Sequence, residues 1–165
     1  MSDPKAAREL IARALMDLEA LRELIGNPRI ADEIFGFLAQ QAAEKSLKAW
    51  LALLGKQYPI THNLDQLLQE LKKTGVKIAV YEGLGSLNPF AVQFRYESLD
   101  LNEPDLDRRE VLRMVSVLAE KVRALVDAKE DHPGVQEPRA VYKVRPEENR
   151  GAGKPKQKSK KKKSE

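Results

Sequence analysis

Residues 37–55 read FLAQQAAEKSLKAWLALLG, and this stretch decides the fold. Its apolar residues return every three or four positions, from Phe37 and Leu38 through Leu47 to Trp50 and Leu51. That spacing is typical of an amphipathic helix with one apolar face. We therefore predict a long helix from about Ala31 to Leu54, which Gly55 ends.

Similar periodicity extends outward from this segment in both directions. It predicts a first helix from Lys5 to Ile25, with Asp3 as its cap and Pro4 at its first position. Further helices are predicted from an Asn63 or Thr61 cap to Lys73, near Ile78–Leu84, and from after Asn102–Pro104 to about Ala128. Between the last two, a helical or irregular piece carries Phe90, Val92, Phe94 and Tyr96. The fold class that follows is all-α, an antiparallel bundle of four to five helices.

The composition excludes several classes of protein. The chain contains no cysteine, so disulfides, cysteine-ligated zinc and thiol nucleophiles are ruled out. It has two histidines, and it lacks the glycine-rich phosphate loops and the HExxH and GxSxG motifs. We expect no metal and no cofactor. No apolar run reaches membrane-spanning length, so we expect a cytoplasmic location without a membrane span.

Positive charge is concentrated at the C-terminal end of the chain. The formal net charge is +4, but residues 150–165 hold eight basic residues and one acidic residue, so the other 149 residues sum to 4 − 7 = −3. We expect a helical domain over residues 1–130 and a disordered tail, rich in Pro, Gly and Lys, over residues 131–165. Such a tail favours non-specific contact with nucleic acid or an acidic partner.

The polar residues of the long helix are the first candidates for a binding site. Gln41, Glu44 and Lys48 fall at three-and-four spacing and share a face, and Lys45 lies one turn after Gln41. One interpretation is a solvated stripe in which Glu44 pairs with Lys48, worth about 0.3–0.5 kcal/mol. The other is a polar groove in which amides and a lysine meet a phosphate or a partner helix. The spacing leaves both open.

Two further segments carry candidate residues. His62, in Thr61-His62-Asn63-Leu64, is able to exchange protons near neutral pH, although a histidine beside a helix start is often a cap or a packing residue. Arg95 lies between Phe94 and Tyr96 and can present its guanidinium to a phosphate. An ion pair with an acidic residue such as Glu44 is the alternative for Arg95.

Taken in order, the three segments FLAQQAAEKSLKAWLALLG, ITHNLDQLL and NPFAVQFRYESLD resemble the HEPN family, the higher eukaryotes and prokaryotes nucleotide-binding domain. The resemblance covers residues 10–126 and is to the branch associated with minimal nucleotidyltransferases. It implies a helical bundle that forms homodimers, binds a nucleotide or RNA, and acts beside a nucleotidyltransferase in a toxin–antitoxin or nucleotide-signalling setting. The positions that match the family's motifs are Gln41, Glu44, Lys45, Lys48, His62, Arg95 and Tyr96.

One feature of ribonuclease members of that family is missing from this sequence. They carry an arginine followed by four to six residues and then a histidine, and no arginine here has a histidine at that spacing. A binding module is therefore favoured over an enzyme. The alternatives are a metal-independent ribonuclease that uses His62 as general base with Arg95, and a purely structural adaptor that is targeted by its lysine tail.

Overall fold

The computed structural model describes residues 2–93 and 106–131, and all of the described secondary structure is helical. The elements are α1 (Pro4–Leu24), α2 (Asp32–Leu53), α3 (Leu64–Lys73), a 3-10 helix (Ala79–Leu87), α4 (Asn88–Gln93) and α5 (Arg108–Asp131). The predicted all-α bundle is confirmed. None of the described helices is both long enough and apolar enough to cross a bilayer.

Local sequence signals set most helix boundaries. The Asp3 side chain accepts a hydrogen bond from the Ala6 amide at 2.9 Å and caps α1, and Pro4 occupies the first turn. Asn63 caps α3 by accepting from the Gln66 amide. Gly55, with a φ of 69°, ends α2, and the Lys56 amide there donates to the Leu51 carbonyl. The caps predicted at Asp3 and Asn63 are thus the ones observed.

The segment predicted as a short helix near Ile78–Leu84 forms a 3-10 helix that extends to Leu87. Gly83 and Gly85 lie within it and disfavour a regular α-helix. A Cβ at Gly85 would lie 2.3 Å from Asp65 Oδ1, so the absence of a side chain lets this helix approach the start of α3.

Helix α2 lies at the centre of the bundle and packs on α1, α3, α4 and α5. The Asp3 amide donates to the Ala52 carbonyl at 2.9 Å, so α1 starts where α2 ends and the two helices are antiparallel. At the other end of α2, Asp32 Oδ1 accepts from Arg108 Nε at 2.6 Å. Lys129 Nζ reaches the Leu53 carbonyl, so α5 runs in the same direction as α2.

The core is built mainly from leucine and alanine. Its largest fully buried side chains include Leu18, Leu21, Phe35, Leu47, Leu51, Leu67 and Leu118. Each such side chain stabilises the fold by about 1.5–3 kcal/mol relative to an exposed one. Alanines at 39, 42, 43 and 49 on α2 are also buried, so neighbouring helices approach this one closely. The central position of α2 fixes where its few polar residues can lie.

Candidate functional site

A buried carboxylate is the centre of the polar cluster on α2. Glu44 is 6 % exposed, although it belongs to a helix stripe that could have faced solvent. Its Oε1 accepts from Lys48 Nζ at 2.8 Å, and its Oε2 accepts from Gln40 Nε2 at 3.0 Å. The Glu44–Lys48 pair predicted from spacing is therefore present. It is buried, however, and not part of a solvated stripe.

His62 completes the cluster from the loop before α3. Its Nδ1 lies 3.1 Å from Glu44 Oε2 and 3.2 Å from Oε1. Burial by itself raises the pKa of Glu44, but hydrogen bonds from Lys48, Gln40 and His62 outweigh it and lower that pKa below 4.5. The carboxylate is thus ionised at neutral pH and can only accept. Nδ1 must therefore carry the proton, and Nε2 of the neutral ring keeps its lone pair.

Gln40 holds the histidine loop against α2. It is fully buried, and its Nε2 donates to the backbone carbonyl of His62 at 2.8 Å as well as to Glu44. Gln41 Nε2 donates to Gln40 Oε1 at 2.8 Å, which fixes the orientation of the Gln40 amide. Sequence reasoning did not mark Gln40 as a site residue, although it lies one helical turn before Glu44. A glutamine within the buried alanine-rich face of α2 was the signal for it.

The exposed edge of His62 opens on a cavity of about 390 Å³. Its walls are Ile60, Thr61, His62, Asn63, Asn88 and Ala91. The His62 side chain is 64 % exposed, so Nε2 is accessible while Nδ1 is bonded to Glu44. The cavity volume lies within the range of about 300–1,000 Å³ that is usual for small-molecule sites.

Helix α4 brings two of these residues to the histidine. Asn88 Oδ1 accepts from the Leu64 amide at 2.7 Å, and Asn88 Nδ2 donates to Asp65 Oδ2 at 2.7 Å. A Cβ at Gly36 would lie 2.4 Å from the Phe90 ring, so α4 rests directly on the α2 backbone. Sequence reasoning missed Asn88, because its neighbours in space are distant from it in the chain.

The remaining predicted residues divide into two groups. Lys45 Nζ pairs with Asp17 Oδ2 of α1 at 2.5 Å, so its ammonium group is directed to α1 and not to His62. Arg95 and Tyr96 lie outside the described residues. Of the seven predicted site residues, Gln41, Glu44, Lys48 and His62 belong to one connected network. Among the described residues, no three side chains of His, Cys, Asp or Glu are grouped as a metal site.

Fold and site together define a helical module with a histidine–carboxylate pair beside an open cavity. The HEPN domain family model matches residues 7–130, and the chain belongs to the HEPN family. The family assignment makes this a helical module of nucleotide- or RNA-related function. No curated protein matches the chain, and no solved structure matches it.

Proposed function

We propose that this protein is a nucleotide-binding HEPN module whose ligand contacts His62. The observation that carries the proposal is the Glu44–His62 contact at 3.1 Å beside the 390 Å³ cavity. With Nδ1 bonded to Glu44, Nε2 of the neutral ring can accept from a ribose hydroxyl or a base amino group. The protonated ring can donate to a phosphate through the same atom.

The other predicted residues have different roles in this proposal. Gln41, Glu44 and Lys48 act through Gln40 and His62, because their polar atoms already bond to one another within the network. Lys45 supports the site by linking α2 to α1 through Asp17. Arg95 and Tyr96, matched by their family motif alone, supply a guanidinium and a ring to the nucleotide.

The proposal is tested by titrating the purified protein with ATP, GTP and a short RNA while its melting temperature is followed. Saturable stabilisation is expected, because a ligand that binds only the folded state raises the melting temperature. His62→Ala and Arg95→Ala should remove it. His132→Ala and Arg109→Ala are the matched controls and should leave it unchanged. If none of the ligands shifts the wild-type melting temperature, the module is an adaptor rather than a nucleotide binder.

A second function, metal-independent cleavage of RNA, is favoured by the same histidine–carboxylate pair. Glu44 accepts a hydrogen bond from His62 Nδ1 and so orients the ring. The other ring nitrogen, Nε2, is then left to act as a general base. His62 would take the proton of a ribose 2′-hydroxyl while its oxygen attacks phosphorus. The bond to the 5′-oxygen breaks, water protonates that oxygen, and Arg95 stabilises the added negative charge. Cleavage in the titration samples, absent in both His62→Ala and Arg95→Ala, would establish this activity.

The quaternary setting forms part of the proposal. We propose that the protein is a homodimer that acts beside a minimal nucleotidyltransferase, with a toxin–antitoxin or nucleotide-signalling role, as its resemblance to that branch of the family implies. Mixing the purified protein with a nucleotidyltransferase encoded next to it, and measuring the mass of the product by light scattering, tests this. A complex of defined stoichiometry is expected. Two species that keep their separate masses would exclude that partner.

A further inference from the structure

A second and larger hollow lies where the loop after α2 meets the start of α1. Its volume is about 670 Å³, and its apolar walls include Ala6, Ala52, Tyr58 and Ile60. A neighbouring hollow of about 240 Å³ shares Ala6 and Tyr58 with it and continues along α1 past Leu10. The two form one furrow, which we call the Tyr58 furrow. Its position differs from that of the His62 cavity, although Ile60 borders both.

Exposed apolar side chains are concentrated beside this furrow. Seven large hydrophobic residues of the described chain are exposed, and three of them, Leu54, Tyr58 and Ile60, fall within residues 54–60. Ile60, in the loop between α2 and α3, is fully exposed. Grouped exposure of this kind marks a surface that another molecule covers, whereas single exposed residues need no such explanation.

The charges along the furrow are balanced. Asp3 and Lys56 line the larger hollow, and Glu9 and Arg13 line the smaller one. Among the described residues, none of Glu9, Arg13 and Lys56 forms an ion pair. A polyanion such as RNA prefers a surface of one sign, and the two carboxylates would repel it. A patch with equal numbers of both signs can meet a second copy of itself without net repulsion.

We propose that the Tyr58 furrow is the surface through which two copies of this chain associate. In a two-fold interface the same patch meets itself, so it must supply both a protrusion and a hollow. Here Ile60 is the protrusion and the 670 Å³ hollow beside it is the receptor. Glu9 of each copy faces Arg13 of the other. The inference deepens the homodimer of the proposed function by naming its surface, and it sets the second copy beside the His62 cavity, which Ile60 also borders.

Analytical ultracentrifugation of the full chain tests the surface. The wild type is expected to sediment as a dimer, and Ile60→Asp should raise its dissociation constant by roughly 100-fold or more, since two Ile side chains leave the interface. Val80→Asp is the matched control, because Val80 is also exposed and β-branched but lies on the 3-10 helix. Circular dichroism should show both variants folded. A dimer that survives Ile60→Asp, or one that Val80→Asp disrupts equally, overturns the proposal.

Charge exchange provides an independent test of the same surface. Arg13→Glu should weaken the dimer, because two glutamates then face each other across the interface. Adding Glu9→Arg to that variant should restore association, since the pair is again complementary with its signs exchanged. If the double variant does not regain dimer association, the proposed pairing of Glu9 with Arg13 of the second copy is wrong.

The outcomes separate this inference from nucleotide binding. A monomeric wild type that still shows a nucleotide-induced melting shift overturns the furrow interface alone. A dimer that Ile60→Asp dissociates, but that no nucleotide stabilises, supports the interface and rejects the ligand. A monomer whose RNA binding is abolished by Arg13→Glu, a change in the furrow and not in the His62 cavity, assigns the furrow to nucleic acid and overturns the dimer.

Discussion

Glu44 shows how one residue links the stability of this bundle to its candidate site. A carboxylate buried on a central helix is costly unless donors surround it, and here Lys48, Gln40 and His62 supply them. Lys48 also lies 5.8 Å from the centre of the Tyr58 ring, so the same lysine contacts the loop beside the furrow. The lysine that pairs with the His62-orienting Glu44 therefore also helps to hold the loop after α2.

Replacing Glu44 by glutamine should lower the free energy of unfolding by about 1–3 kcal/mol at neutral pH, since Lys48 loses its counter-charge. The side chain of Lys48 is 14 % exposed, so water replaces that partner only in part. Urea unfolding measures the change. Glu70→Gln in the exposed pair with Lys73 is the control and should cost about 0.5 kcal/mol or less. Equal losses in the two variants would mean that burial of Glu44 contributes nothing.

The same variant should alter the acid dependence of stability. The pKa of Glu44 is lowered in the folded protein from its ordinary value of 4.5. The ionised side chain therefore stabilises the fold fully at a pH above that ordinary value. That contribution is lost as the pH falls through the lower folded pKa. Unfolding midpoints measured from neutral pH down to about 3 should therefore fall less steeply in Glu44→Gln than in the wild type. Parallel curves would contradict this role of the carboxylate.

At the scale of elements, the site depends on how α4 is seated. Phe90 lies on Gly36 so closely that α2 has no room for a side chain there, and this contact sets Asn88 and Ala91 beside His62. The start of α5 is also fixed beside the start of α2. Arg108 donates to Asp32 and to the Asn27 carbonyl and lies 5.3 Å from the Phe35 ring centre. Phe90 and Arg108 thus both contact the first two turns of α2, through Gly36 and through Asp32 and Phe35.

Gly36→Ala should therefore destabilise the protein, although alanine normally favours a helix over glycine by about 1 kcal/mol. The added methyl group meets the Phe90 ring, and overpacking of this kind costs about 1–3 kcal/mol. Weaker nucleotide stabilisation should accompany the loss, because α4 carries part of the cavity wall. Gly26→Ala, with nothing within 4 Å of its Cβ, is the control for melting temperature. A stabilised Gly36→Ala would show that Phe90 moves aside freely.

For the whole molecule, charge is divided between the helical region and the end of the chain. Residues 150–165 carry +7 and the other 149 residues −3, so the basic character of the protein is not a property of the bundle. The His62 cavity accordingly has no Lys or Arg among its described lining residues. In our proposal, non-specific attraction to nucleic acid and recognition of a nucleotide therefore belong to different parts of the sequence.

Deletion of residues 151–165 should weaken binding to a non-specific RNA and flatten its dependence on salt, since each lost phosphate contact removes about 0.7 from the logarithmic slope for single strands. The melting temperature should stay unchanged. Changing the seven tail lysines to arginine keeps the charge and is the control, with binding expected to persist. Unaltered RNA binding after the deletion would exclude the tail from this role.

The sequence by itself determined the helical class and most helix limits. Apolar periodicity in residues 37–55 and the caps at Asp3, Asn63 and Gly55 are local signals, and each acts within a few residues of the helix end that it defines. The Glu44–Lys48 pair is equally local, because it spans one helical turn. Periodicity therefore predicted the fold class and, within the polar cluster, the Glu44–Lys48 pair.

Only the tertiary structure decided which residues the polar cluster contacts. The contact of Glu44 with His62 spans 18 residues, that of Asn88 with Asp65 spans 23, and that of Lys45 with Asp17 spans 28. Helical spacing gives the direction of a side chain from its own helix but not the neighbour that it meets. The neighbour depends on how the helices pack in the bundle. For this reason Gln40 and Asn88 lie at the site, whereas Lys45 pairs with Asp17 of α1.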